Sequence, residues 1–203
     1  MSIVEVDGVH RSLPNLRHDF EETKGRDKLS LLREVLHRSK SGKYNNKCMI
    51  FCNTLDSCRA VEYTLSEASV PVISYHGGMN SAAREQNMLN FRENDDIDSN
   101  LMVCTDIAAR GLDISNVKHV IMFDFPLNPI DYIHRAGRTG RAGAPGHVTS
   151  LISKRDMVLS DAIQGAIAKG LPLDSLTSAK RDYSPQGKFN NVLRSNKSGK
   201  KSG

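Results

Sequence analysis

Five short apolar runs recur along this chain, and helical patterns lie between them. Lys47 to Cys52 (KCMIFC), Val72 to Tyr75 (VISY), Leu101 to Cys104 (LMVC), His119 to Phe123 (HVIMF) and His147 to Ile152 (HVTSLI) have the length and continuity of strands buried on both faces. Leu29, Leu32, Val35 and Leu36 repeat at helical spacing, as do Val61, Leu65 and Ala68, while Met88 and Phe91 mark a third such face. Asn80 or Ser81 can cap that third helix. Ser153 can cap a last one running to about Lys169, before Gly170 and Pro172. Strands alternating with helices require right-handed βαβ crossovers, so the expected fold class is α/β: a three-layer sandwich with a mostly parallel central sheet and helices on both faces. In such sheets ligands bind beyond the carboxyl ends of the strands.

That rule gives meaning to the residues just past each run. Asn53 and Thr54 come after the first, His76, Gly77 and Gly78 after the second, Thr105 and Asp106 after the third. Hydroxyls, glycine amides and helix N-termini along one edge are donors for a nucleic-acid backbone read without base contact. Taken singly, each segment also reads as an ordinary turn or cap, and His76 as a structurally hydrogen-bonded histidine. The densest stretch is HRAGRTGR, His134 to Arg141, with three arginines and two glycines in eight positions. Arg138 and Arg141 lie three apart, so on a helix end their guanidinium forks would project from one face onto a single phosphoryl group. Gly137 and Gly140 would remove side chains where a ligand or facing backbone comes close. An always-charged planar fork suits the charge that spreads over phosphoryl oxygens during transfer. A solvated arginine-rich loop is the alternative reading of the arginines alone.

The 203 residues, 38% of them hydrophobic, suffice for one sizeable core. No run is long and apolar enough to span a bilayer and no signal-peptide pattern opens the chain, so no membrane association is expected. Cys48, Cys52, Cys58 and Cys104 form no CxxC pair and no zinc-type spacing. Cys48 and Cys52 would share a strand face with Ile50, which points to reduced core thiols and to no metal. The net charge of +5 is concentrated: residues 180–203 carry seven Lys and Arg against one acid, Asp182. Rich in Ser, Gly, Asn and Lys, this tail reads as disordered, serving either as an electrostatic arm for nucleic acid or as a solubilising end. Arg92 to Asn100 reads as an acidic surface loop.

In order and spacing, MIFCNT (49–54), YHGGM (75–79), TDIAARGLD (105–113) and HRAGRTGR (134–141) resemble the motifs of the C-terminal RecA-like domain of DEAD-box RNA helicases. The resemblance covers about residues 15 to 170, and His134 favours the DEAD-box branch over DEAH-type relatives, which carry Gln there. It extends to a plant organellar subgroup, which would make the compartment the chloroplast, with nucleus and cytoplasm as alternatives. It implies a linker over 1–14, the RecA-like domain over 15–172 and the basic tail over 173–203. It also implies that Arg138 and Arg141 act as arginine fingers on ATP, that Asp113 accepts hydrogen bonds from the ribose, and that His134 and Arg135 link to the partner lobe and the hydrolysis site. Asn53, Thr54, Gly77, Arg84, Thr105 and Gly111 would line the path of single-stranded RNA, holding phosphates and 2′-hydroxyls rather than bases.

The chain departs from the family's pattern at Ser81, where glutamine is usual, and at Gly78, where aspartate is common. It contains neither a GxxxxGK[ST] phosphate loop nor Asp-Glu-Ala-Asp. The resemblance therefore implies half of an ATP hydrolase: an N-terminal lobe elsewhere in the protein holds Mg²⁺, RNA in single-stranded or duplex form is the partner, and the lobe itself is a monomer, inactive alone. A non-catalytic RNA-binding or adaptor module and a lobe of a DNA-acting superfamily-2 helicase are the alternatives.

Overall fold

All six residues of Lys47–Cys52 (β2) are buried, because parallel strands on either side hydrogen-bond its edges and helices cover both its faces. The computed structural model describes residues 15–39, 46–93, 100–106, 114, 116–177 and 183. Around β2 lie Leu16–Glu22 (β1), Ile73–Tyr75 (β3), Leu101–Thr105 (β4), Val117–Met122 (β5) and Gly146–Ile152 (β6), in the order β1-β6-β5-β2-β4-β3 with every pairing parallel. Right-handed crossovers then dictate which face each helix covers. Lys28–Ser39 (α1) and Leu55–Glu67 (α2) pack on one face through Leu31, Leu32, Val35, Val61 and Leu65, with Cys48, Ile50 and Cys52 beneath them. Ser81–Glu93 (α3), Pro129–Ala136 (α4) and Met157–Ala168 (α5) pack on the other through Phe91, Tyr132, Leu159 and Ile163, against Met49, Phe51 and Cys104. The three-layer α/β sandwich is therefore present, and all four cysteines are free, buried thiols.

Local signals set most boundaries. Asn80, not Ser81, caps α3, its Oδ1 accepting from Ala83 N–H at 2.8 Å. Ser153 and Asp156 form a reciprocal capping box over the turn Lys154–Asp156, which leads into α5. Gly170, at φ +63, ends that helix in the left-handed region. The buried Lys47 turns its ammonium to the carboxyl end of α3, donating to the Arg92 carbonyl at 2.7 Å, where a cation complements the helix dipole.

Two features differ from the sequence expectation. β1 is a strand that no apolar run announced: it lies at the sheet edge, where Leu16, His18 and Phe20 alternate with Arg17, Asp19 and Glu21. The packed domain also continues past residue 172, since Leu173 and Tyr183 are buried in the core and Tyr183 Oη donates to the Thr177 carbonyl at 2.6 Å. Apart from Tyr183, residues 178–203 lie outside the described residues, as do 94–99 of the acidic loop.

Histidines cross the sheet near the amino ends of β5 and β6. His119 stacks on His147 with ring centroids 4.2 Å apart and shares a 2.8 Å hydrogen bond with Thr149, while His147 Nε2 lies 2.7 Å from Asp19. Burial, assisted by His147, lowers the pKa of His119 to about 3. An unfolded histidine titrates near 6.5, so between those values the unfolded chain binds the extra proton and stability rises with pH. The contribution is present in full above about pH 6.5 and lost as pH falls toward the folded value. Urea midpoints should decline from neutral pH to about pH 4, and less steeply in His119→Gln.

Candidate functional site

The chain moves from β2 toward β4 and β3 through α2, whereas β5 leads the other way through α4, so the order reverses between the neighbouring strands β2 and β5. A crevice opens beyond the carboxyl ends at such a reversal. Asn53 and Thr54 leave β2 there and Asp124 leaves β5; Asn53 N–H donates to Asp124 Oδ2 at 3.0 Å, and Asn53 Nδ2 to the Phe125 carbonyl at 2.9 Å. Thr54 is exposed at the start of α2 and caps it, its Oγ1 accepting from Ser57 N–H at 3.1 Å.

Arg135 fills this crevice from α4. Asn128 caps that helix by accepting from Asp131 N–H at 2.9 Å, and Pro129 occupies its first turn, so the start is locally encoded. Near the other end the Arg135 side chain is only 2% exposed. Its Nε and Nη2 form a fork on Asp106, at 2.7 and 2.6 Å. Nη2 also donates to Asn53 Oδ1 at 2.5 Å and Nη1 to the Asp124 carbonyl at 2.6 Å, with the guanidinium carbon 5.5 Å from the centre of the Phe51 ring. One cation thus ties the ends of β2, β4 and β5 together. The resemblance implied that Arg135 links to the partner lobe and the hydrolysis site; within this chain its guanidinium faces inward, where every nitrogen has an internal acceptor.

The two other arginines follow the helix rather than riding on it. α4 ends at Ala136, and Arg138 and Thr139 fold back with backbone hydrogen bonds to the Arg135 and Ala136 carbonyls. Thr139 Oγ1 donates to the Val117 carbonyl at 2.7 Å, anchoring the turn at the start of β5. Gly140 adopts φ +67, and a Cβ there would collide with Leu16 of β1, so this glycine serves a close approach to the edge strand. Gly146 is equally constrained, a Cβ meeting Thr139 Oγ1 at 2.5 Å. Arg141 is exposed, with Nε donating to the Gly137 carbonyl at 2.9 Å. Burial, reinforced by the charge of Arg141, lowers the pKa of Arg138.

Among the other expected residues, Gly77 is exposed after β3 and Thr105 half-buried at the end of β4. Arg84 lies in the first turns of α3 and makes no ion pair among the described residues. His134 is exposed. His76 is buried, with Nδ1 lacking a hydrogen-bond partner among the described residues. Gly111 and Asp113 lie outside the described residues. Two members of the cluster had no place in the sequence reading: Asp124, and Lys28, whose Nζ reaches Asp124 Oδ1 at 3.3 Å. The only available signal was a lysine in the first turn of a helix, where the dipole disfavours a cation.

Residues 27–143 match the model of the helicase conserved C-terminal domain. DEAD-box ATP-dependent RNA helicase 39 of Arabidopsis thaliana is 46% identical over 171 residues, which cover 84% of this chain and 27% of that protein. A solved structure of S. cerevisiae Dbp5 bound to RNA and ADP BeF3 superposes with a TM-score of 0.62 at 28% identity, covering 79% of this chain and 39% of that one. The E. coli DEAD-box protein SrmB, bound to the regulator of ribonuclease activity A, gives a TM-score of 0.59 at 28% identity over 75% of this chain and 82% of that one. The chain spans about a quarter to a third of the length of the curated relatives it matches.

The buried fork makes a direct demand on stability. Arg135→Met keeps the bulk but leaves Asp106, Asn53 Oδ1 and the Asp124 carbonyl without their donor. Because Asp106 retains some solvent, unfolding free energy should drop by about 2–4 kcal/mol, read from denaturant midpoints. Arg141→Met, at an exposed position, should stay within about 0.5 kcal/mol.

Proposed function

Because the chain belongs to the helicase conserved C-terminal domain family, with DEAD-box proteins as its relatives, we propose that it is the C-terminal lobe of an ATP-dependent RNA helicase. The observation that carries this reading is the Arg135 fork, which joins the strand-end segments suited to a nucleic-acid backbone to the helix that leads into the Arg138–Arg141 turn. Thr54, Gly77, Arg84 and Thr105, with Gly111, take phosphates and 2′-hydroxyls of single-stranded RNA. Asn53 contributes by its placement, since its amide is committed to Phe125 and Arg135. Arg135 is then a positioning residue and touches neither ligand.

Arg138 and Arg141 supply the fingers. Their mutual repulsion is relieved when a polyphosphate lies between them, and the planar fork of each donates two parallel hydrogen bonds where charge builds on the transferred group. His134, exposed one turn earlier, faces the partner lobe, and Asp113 holds the ribose. ATP supplies the phosphoryl group and its leaving diphosphate; this lobe orients it and stabilises charge, while Mg²⁺ and the attacking water belong to the N-terminal lobe.

Two outcomes test this. The chain alone should show negligible ATP turnover with or without RNA, measured by phosphate release. Joined to its N-terminal lobe, Arg138→Lys or Arg141→Lys should reduce RNA-stimulated turnover by about 10³-fold or more while the melting temperature holds. Near-normal turnover in either folded variant would return that arginine to a surface role.

A further inference from the structure

Asp124 spends every polar group it has. Its N–H donates to the Phe51 carbonyl at 3.1 Å, its carbonyl accepts from Arg135, Oδ2 accepts from Asn53 N–H, and Oδ1 pairs with Lys28 Nζ. The carboxylate is 8% exposed and Lys28 19% exposed, so water screens this pair weakly. Lys28 opens α1, where the helix dipole opposes a positive charge, yet its ammonium reaches over the Phe123 ring, 5.0 Å from the centroid, to Asp124. The crevice thus holds two cations and two anions, each cation with its own partner: Arg135 with Asp106, and Lys28 with Asp124.

This pairing is not the only neutral one available to the guanidinium. Nη1 already touches the backbone of Asp124, so a carboxylate at 124 stripped of its ammonium would compete with Asp106 for the fork. We propose that Lys28 is a positioning residue for the nucleic-acid path. By neutralising Asp124 it leaves Arg135 on Asp106 and Asn53, and so holds the Asn53–Thr54 and Thr105–Asp106 corners at the separation at which they take one RNA strand. This role rests on the reading of that edge as an RNA path and adds a residue that lies outside every motif above.

The test uses this chain, isotopically labelled, with the Arg135 side-chain Nε–Hε resonance reporting the fork and the backbone amides of Thr54 and Thr105 reporting titration with a short single-stranded oligouridine. Lys28→Met should expose the Arg135 resonance to solvent exchange and weaken RNA binding by about tenfold. Lys28→Arg should restore both. So should the double variant Lys28→Met with Asp124→Asn, because a neutral amide no longer competes for the fork; a lysine with only a structural role would leave the Arg135 resonance unmoved in every one of these variants. Asp124→Asn alone should leave the Arg135 resonance protected, which keeps the inference testable if Lys28→Met does not fold. An Arg135 resonance unchanged in Lys28→Met, or exposed in Asp124→Asn, overturns the inference and leaves the helicase reading untouched. Failure of oligouridine to shift Thr54 and Thr105 in the unaltered chain overturns the RNA path itself, and the role of Lys28 with it.

Discussion

The two-pronged grip of Arg135 on Asp106 is the contact on which the carboxyl edge of the sheet depends. Strand ends have no ladder partners beyond their last residues, so something other than sheet hydrogen bonding must fix the loops that leave them. A planar guanidinium can do this because its donors diverge in one plane and reach three separate chain segments at once. A lysine in its place would offer one point charge to the same acceptors.

The grip has a second consequence. α4 is only eight residues long, and Arg135 sits next to its end, so fixing that side chain fixes the start of the turn carrying Arg138 and Arg141. Thr139 pins the far side of the turn to β5, and the missing side chains at Gly140 and Gly146 let it lie against Leu16. The arginine pair is therefore held from both sides by contacts within the fold, which fix a charged turn despite the repulsion inside it.

Much of this was legible in the chain. Runs buried on both faces, such as KCMIFC, read as strands because nothing polar interrupts them, and helices such as α3 and α5 announce themselves through Asn80 and Ser153. β1 was not, because an edge strand that alternates charge with apolar residues lacks a continuous signal. Within the site, spacing brought out Arg138 and Arg141 and set them at a helix end, but three-residue spacing does not reveal that the helix stops at Ala136, before either of them. Arg135 was recognised as important, but its inward aim was not legible, because it depends on Asp106 and Asn53, which lie 29 and 82 residues away along the chain. Lys28 and Asp124 belong to no local pattern and meet only through tertiary packing.

The pairing of β1 with β6 bears on how the protein is made. Leu16 is matched to Gly146 and Glu22 to Ile152, so β1 leaves the ribosome about 130 residues ahead of the strand that covers its hydrogen-bonding edge. Loop closure over such a span is entropically slow, and an uncovered edge is a template for pairing with another nascent chain. Arg17, Asp19 and Glu21 place a charge at every second position of that waiting strand. The polar alternation that hid β1 from a reading of the sequence thus also makes it a poor template for wrong pairing while it waits for β6.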